Sequence, residues 1–337
     1  MCGILIVLIA ALCACAPGTG YDSPEEVTLT AMDTVMTLRV YGSDTACEKL
    51  SERITGLDKM LSVTDSGSEI YALNNNGKAE ISNDTHALLK RSVELCGELE
   101  GSFDITVYPA VQAWGFTTGE HRVPTAEELR SLADRIDYRQ VKLTDTFAEL
   151  PEGCMVDPGA AAKGYLADVC DDVLSECGAT GAVLNLGGTV KLYGKKPDGS
   201  DFKIGVADPE NDSAYIGYLT CSSGVAATSG GYERYFEKNG KRYIHIIDPD
   251  TADPVDNGTL SVTIFSNDGV AADSLSTALF VMGIDKAIEY YQAHGGFDFI
   301  ILTQDGSLYI TEGIKDSFTL GDGYSYDIKT VGAEVER

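Results

Sequence analysis

The sequence predicts an α+β domain built on a largely antiparallel sheet, and three observations lead there. Strand-like and helix-like segments come in blocks, without the strict alternation that builds a parallel sheet. The stretch 181–228 is mostly short apolar runs broken by Gly and Pro turns. The chain has 337 residues, 44% hydrophobic and 23% charged, which is enough for a sizeable core and argues against bulk disorder.

Taken in order, residues 1–15 (MCGILIVLIAALCAC) carry no charged side chain. The apolar run 4–12 is too short to span a bilayer and suits the hydrophobic region of a signal peptide. Leu12-Cys13-Ala14-Cys15 resembles a lipobox. That predicts a lipid on Cys15 and a mature chain anchored on the extracytoplasmic face of the cell membrane; a plain secretory signal is the alternative. Residues 16–27 are small and polar with Pro and Gly, the composition of a flexible tether, which leaves a body of 28–330.

Within the body, 34–41 alternates like a half-buried strand. Residues 44–61 have helical spacing, with Ala46, Leu50, Ile54, Leu57 and Leu61 near one face. A second amphipathic helix is predicted over 84–99 with Asp84 as its N-cap, and a third over 125–136 after Pro124. Residues 141–143 and 147–150 read as a hairpin. A helix over 157–177 opens on Asp-Pro, an N-cap followed by proline at the first helical position. Strands follow at 182–186, 189–194, 202–208, 214–221, 224–228, 242–247 and 260–265. Helices at 270–282 and 285–292 precede strands at 299–302 and 308–310.

Charge and cysteines narrow the chemistry. A formal net charge of −27 repels phosphate backbones and excludes nucleic acid as a general partner. Six cysteines lie beyond the leader (Cys47, Cys96, Cys154, Cys170, Cys177 and Cys221), with no CxxC pair and no zinc pattern. Several sit in apolar stretches as small core residues; free thiols and one disulfide are both open.

Four constellations carry candidate chemistry. In Asp157-Pro-Gly-Ala-Ala-Ala-Lys163-Gly164, a helix N-terminus and Lys163 offer a phosphate site, although a capped, tightly packed helix explains the same residues. Asp273, Ser276 and Thr277 share one helical face and present hard oxygens suited to Mg²⁺; an ordinary capped helical turn is the alternative. His245, in Tyr-Ile-His-Ile-Ile-Asp-Pro, is either a general base beside a phosphate or a packed strand residue. Trp114, followed by Gly115 and Phe116, either stacks on a flavin or adenine ring or belongs to the core.

Their order along the chain is the informative part. Met32-Asp33-Thr34, Leu61-Ser62 with Ser68-Glu69-Ile70 and Leu73-Asn74, GSFDIT, WGF, DPGAAAKGYLAD, LNLGG, ATSGGYERYF, HIIDP and AADSLSTALFVMG together resemble the motif series of the ApbE family over roughly 28–312. The resemblance implies an α+β catalytic domain that transfers FMN from FAD to a Thr or Ser hydroxyl of a target protein, releasing AMP, with Mg²⁺ as cofactor. It implies a target that is a redox protein, such as a membrane electron-transfer subunit. Metal ligands fall on Ala160 (through its carbonyl), Asp273 and Thr277, with Ser276 adjacent. FAD contacts fall on Met32, Trp114, Gly115, Phe116, Asp157, Lys163 and Ile246, and His245 is the candidate for taking the acceptor proton. The chain departs from the family at Asp33, where Gly is common, at Thr64, where many members carry an aromatic ring, and at Ala252, where Gly is common. The missing ring at Thr64 raises FAD hydrolysis to FMN and AMP as an alternative activity; a non-catalytic flavin-binding lipoprotein is another.

Overall fold

A computed structural model describes residues 23–333, so the expected signal peptide, Cys15 and most of the tether lie outside the described residues. In chain order the elements begin β1 (Glu25–Ala31), β2 (Thr34–Tyr41), α1 (Ala46–Leu61), α2 (Glu69–Asn76), β3 (Lys78–Glu80) and α3 (Asn83–Glu98). Next come α4 (Tyr108–Trp114), α5 (Ala126–Ala133), β4 (Lys142–Leu143), β5 (Phe147–Glu149), α6 (Gly159–Glu176), β6 (Gly181–Asn185) and β7 (Thr189–Gly194). Then follow β8 (Phe202–Asp208), β9 (Asn211–Cys221), β10 (Gly224–Gly230), β11 (Tyr235–Lys238), β12 (Lys241–Ile244) and β13 (Thr259–Ser266). The chain ends with α7 (Gly269–His294), β14 (Asp298–Thr303), β15 (Ser307–Thr311), β16 (Phe318–Leu320) and β17 (Asp327–Val331).

The expected α+β architecture is present. Nine strands form one sheet in the order β1-β2-β6-β7-β10-β13-β14-β15-β17. Every pairing in it is antiparallel except β15 with β17. Residue alternation sends the two faces of each strand to different layers. Along β14, Phe299 and Ile301 join the core beneath the helices, while Ile300 and Leu302 meet a separate sheet of β16, β9 and β8. Central strands are therefore buried on both sides, which is why their sequences read as near-continuous apolar runs.

Several boundaries moved, each for a local reason. β1 begins at Glu25, inside the stretch expected to be tether, because Glu25 through Ala31 pairs along its length with β2. The cap of α3 is Ser82, whose Oγ accepts from the Thr85 N–H; Asp84 instead forms a bidentate pair with Arg53 (2.6 and 2.7 Å) and accepts from Tyr165 Oη. Helix α6 starts at Gly159 with Pro158 at the cap position, and Asp157 accepts from the Gly159 N–H at 2.8 Å, one residue later than expected. The two helices predicted after 270 run together as α7, interrupted at Gly283 (φ 73°, ψ 170°). β3 and β16, three residues each, are too short to register as strands, and β17 (DIKTV) carries too little apolar alternation.

Among the described residues, the six cysteines are all free thiols. Burial pushes Cys154 up to about 11 and Cys47 up to about 12, so these thiols are unreactive core residues near neutral pH.

One helix contact positions the site. Gly164 on α6 packs on Gly269 at the start of α7 so closely that a Cβ on Gly164 would lie 2.5 Å from the Gly269 carbonyl carbon and 2.9 Å from Asp273 Cβ. Only glycine permits that crossing.

Candidate active site

A cavity of about 550 Å³ opens where loops from several elements converge. Its walls come from the α1–α2 loop (Ser62, Val63, Thr64), the start of α6, β10, the segments flanking the β11–β12 hairpin, and α7. Met32, Phe116, Asp157, Ala160, Lys163, His245, Ile246, Asp273 and Thr277 all line it, so most of the residues singled out in the sequence meet here.

Asp273 lies in the second turn of α7, 5% exposed. The cap of that helix is Asp268, which accepts from the Ala271 N–H, so Asp273 is not serving as a cap. Its Oδ2 accepts from the Gly164 N–H (2.9 Å) and its Oδ1 from Thr189 Oγ1 (3.3 Å). The Gly164 N–H is the proton that helical geometry would offer to the Ala160 carbonyl, and the carboxylate competes for it. Burial pushes the Asp273 carboxyl above its ordinary range, against the pull of Lys163 and of that N–H. Thr277 lies one turn on, its Oγ1 3.2 Å from Ser229 Oγ. Ser276 is fully buried and does not line the cavity: its hydroxyl donates to the Asp273 carbonyl and meets Ser229 Oγ at 2.7 Å. It braces the turn that carries Thr277.

A divalent cation can be tested against these donors. One carboxylate, one hydroxyl and a backbone carbonyl are hard oxygen ligands of the kind Mg²⁺ prefers. Among the described residues no group of three or more His, Cys, Asp or Glu side chains could hold a metal. With a single carboxylate the set is too weakly charged to be a closed all-protein site. It fits an ion that shares its coordination with phosphate oxygens and water.

Lys163 Nζ donates to the Gly187 carbonyl at 2.8 Å, which holds the ammonium at the cavity wall. Glu233 and Arg234, from the ATSGGYERYF stretch, also line the cavity. Burial raises the Glu233 carboxyl, with Lys163 and Arg234 opposing. Asp58, which sequence reasoning missed, accepts from the Met32 N–H at 2.8 Å. That bond secures a turn in which Met32 and Asp33 both adopt the left-handed region (φ 50° and 58°).

His245 sits half-buried beside Arg234. Its Nδ1 lies 3.2 Å from the Arg234 carbonyl, which can only accept, so Nδ1 carries the proton and Nε2 keeps its lone pair. Burial, then the Arg234 charge, pushes the imidazole down to about 4, so it is neutral at pH 7 and able to accept a proton.

Trp114 is the core residue of its two readings. It is 1% exposed, its Nε1 donates to the Ala252 carbonyl (2.9 Å), and it packs on Tyr243 and Phe236. Gly115 caps α4 at φ 84°, where a Cβ would lie 2.6 Å from the Glu120 carbonyl carbon, and does not line the cavity. Of this aromatic cluster, the ring at the wall is Phe116, backed by Phe236 at 5.6 Å; Phe103 lines the cavity as well. Thr64 lies exposed on the rim, its N–H donating to Ser62 Oγ at 3.2 Å.

Comparison with known proteins shows which family the chain resembles over most of its length. Residues 32–301 match the model of the ApbE family. A Vibrio cholerae FAD:protein FMN transferase is 32% identical over 260 residues, covering 75% of this chain and 78% of that one. A Klebsiella pneumoniae FAD:protein FMN transferase is 30% identical over 303 residues, covering 87% and 94%. Among solved structures, the ApbE protein of Thermotoga maritima superposes with a TM-score of 0.81 at 32% identity, covering 88% of this chain and 99% of its own.

Proposed function

The chain belongs to the ApbE family, and from that premise we propose that it transfers FMN from FAD to a Thr or Ser hydroxyl of a target protein, releasing AMP in a Mg²⁺-dependent reaction. The observation that carries this reading is the juxtaposition of Asp273 and Thr277 on α7 with Ala160 and Lys163 on α6, in one cavity roomy enough for a dinucleotide.

In this reading the start of α6 and Lys163 bind the pyrophosphate, since unpaired N–H groups and an ammonium favour negative charge. Asp273, Thr277 and the Ala160 carbonyl would hold the magnesium ion. When bound, that ion supplies charge neutralisation at the phosphate oxygens. Phe116 and Met32 offer apolar surface to the rings of FAD. The acceptor oxygen attacks the flavin-side phosphorus, the bond from that phosphorus to AMP breaks, and His245 Nε2 takes the hydroxyl proton. A second reading, hydrolysis of FAD to FMN and AMP with water as acceptor, is favoured in part by the exposed Thr64 on the rim.

The proposal extends to location: a lipid at Cys15 would hold the enzyme beside membrane redox subunits that receive FMN. Among the described residues no helix is long and apolar enough to cross a membrane. The decisive experiment mixes the purified chain with FAD, MgCl₂ and candidate subunits, then reads protein mass and AMP. A gain of FMN mass with AMP, abolished by chelator and by Asp273→Ala in a folded protein, is expected. Undiminished turnover in excess chelator would refute the metal assignment.

A further inference from the structure

A smaller compartment of about 130 Å³ opens from the main cavity, between the nine-stranded sheet and the β16–β9–β8 sheet. Met32, Asp33, Lys163, Thr228, Glu233 and Arg234 line both spaces and form the throat between them. The floor of the throat is Gly187-Gly188, at φ 80° and 88°. A Cβ on Gly188 would reach to 3.4 Å from both the Glu233 carboxylate and the Lys163 ammonium, so a side chain there would narrow the passage.

Beyond the throat, the walls that the two sheets contribute are hydrocarbon: Val190, Ile204, Val206, Leu219, Ala226 and Phe265. Of the hydroxyl-bearing residues that line the compartment, Thr228 and Thr263 are bonded to each other at 2.9 Å, and Thr34 and Tyr232 are the others. A flavin or adenine ring pushed inside would set most of its ring N–H and carbonyl groups against hydrocarbon, and each one left unpaired is penalised. A hydrocarbon group loses nothing there. A dry apolar cavity of about 150 Å³ takes a benzene molecule, so this one suits a single branched aliphatic or phenyl side chain.

We propose that this compartment is the acceptor subsite: it binds an apolar side chain adjacent to the Thr or Ser that receives FMN. The inference rests on the transferase reading above. The peptide crosses the throat, where Glu233 and Arg234 present a carboxylate and a guanidinium complementary to a backbone N–H and C=O. Its hydroxyl then lies in the main cavity beside Lys163. The apolar compartment thus selects the acceptor by its neighbour, and FAD occupies the larger space.

The test uses the full chain with FAD, MgCl₂ and synthetic peptides that carry one Thr in a Gly-Ser background, flanked by Leu, Phe, Gly or Asp. FMN transfer is read by mass and AMP release in parallel. Leu- and Phe-flanked peptides should exceed the Gly-flanked one by about tenfold or more in kcat/KM, the fold-change expected from burying such a side chain. Ala226→Leu, which fills the compartment, should erase that preference while leaving transfer to the Gly-flanked peptide unchanged. Ala207→Leu serves the same purpose from the facing sheet if Ala226→Leu does not fold. Equal rates for all peptides, or a preference retained in both filled variants, would overturn the subsite. So would AMP release from FAD with no transfer to any peptide, because a compartment that binds the apolar neighbour should dock the Leu- and Phe-flanked peptides. Absence of both AMP release and transfer would instead sink the transferase reading, and the subsite with it.

Discussion

Replacing Gly164 by Ala should damage catalysis far more than stability. The added methyl would lie 2.5 Å from the Gly269 carbonyl carbon and 2.9 Å from Asp273 Cβ, and closer still to the Gly269 carbonyl oxygen. Ordinary contact begins at 3.4 Å, so α6 and α7 must separate by roughly an ångström. Overpacking of this kind costs about 1–3 kcal/mol. Alanine in place of glycine inside a helix returns about 0.8–1 kcal/mol. The net loss of stability is therefore about 0–2 kcal/mol, which leaves the protein folded. The separation falls on the bond between the Gly164 N–H and Asp273 Oδ2, which ties the two halves of the proposed metal and phosphate site together. A misplacement of about 1 Å is enough to cost about 10²-fold in rate. Urea unfolding, FAD titration and Mg²⁺-dependent AMP release on the same preparations would separate the two effects. Gly269→Ala should behave alike, since its Cβ would lie 2.6 Å from Asp168 Oδ1 and closer still to the Gly164 carbonyl. A folded Gly164→Ala protein with wild-type turnover would show that the crossing does not hold the site together.

Four further outcomes are expected. His245→Ala should slow transfer by about 10²–10⁴-fold with FAD binding retained, and a loss of only a few-fold would return this histidine to a packing role. Because burial holds its imidazole at about 4, the neutral form persists above that pH; the acid limb of kcat/KM should fall near pH 4, and one near 6.5 would contradict the assignment. Thr64→Tyr should tighten FAD binding by several-fold to about tenfold, the worth of roughly 0.5–1.5 kcal/mol of stacking, and lower the ratio of hydrolysis to transfer; unchanged fluorescence quenching by the two proteins would show that Phe116 already fills that role. Cys15→Ala should release the protein from membranes on cell fractionation, and equal retention would remove the lipid anchor from the proposal.

Strand alternation and block order were enough to read the α+β class, and the helical spacing of α1 placed its buried residues Ala46, Leu50, Ile54, Leu57 and Leu61 correctly. These are local signals: a period of 2 or 3.6 residues is written into the chain itself. The motif series likewise marked most of the residues that line the cavity. What local spacing could not supply was phase, meaning which side of an element faces the cavity and which faces a neighbour. Asp273, Ser276 and Thr277 share a helical face in sequence. Only the packing of α7 on α6 and β10 decided that Asp273 and Thr277 meet the cavity while Ser276 turns to Ser229. Trp114 and Phe116 are two residues apart, and the aromatic cluster with Phe236 and Tyr243 decided that the smaller ring reaches the wall. Asp84 looked like a cap until Arg53, 31 residues away along the chain, claimed its carboxylate. The apolar compartment behind Lys163 had no signature in the sequence at all. Its walls come from strands of two different sheets, and a space between sheets exists only once they have packed.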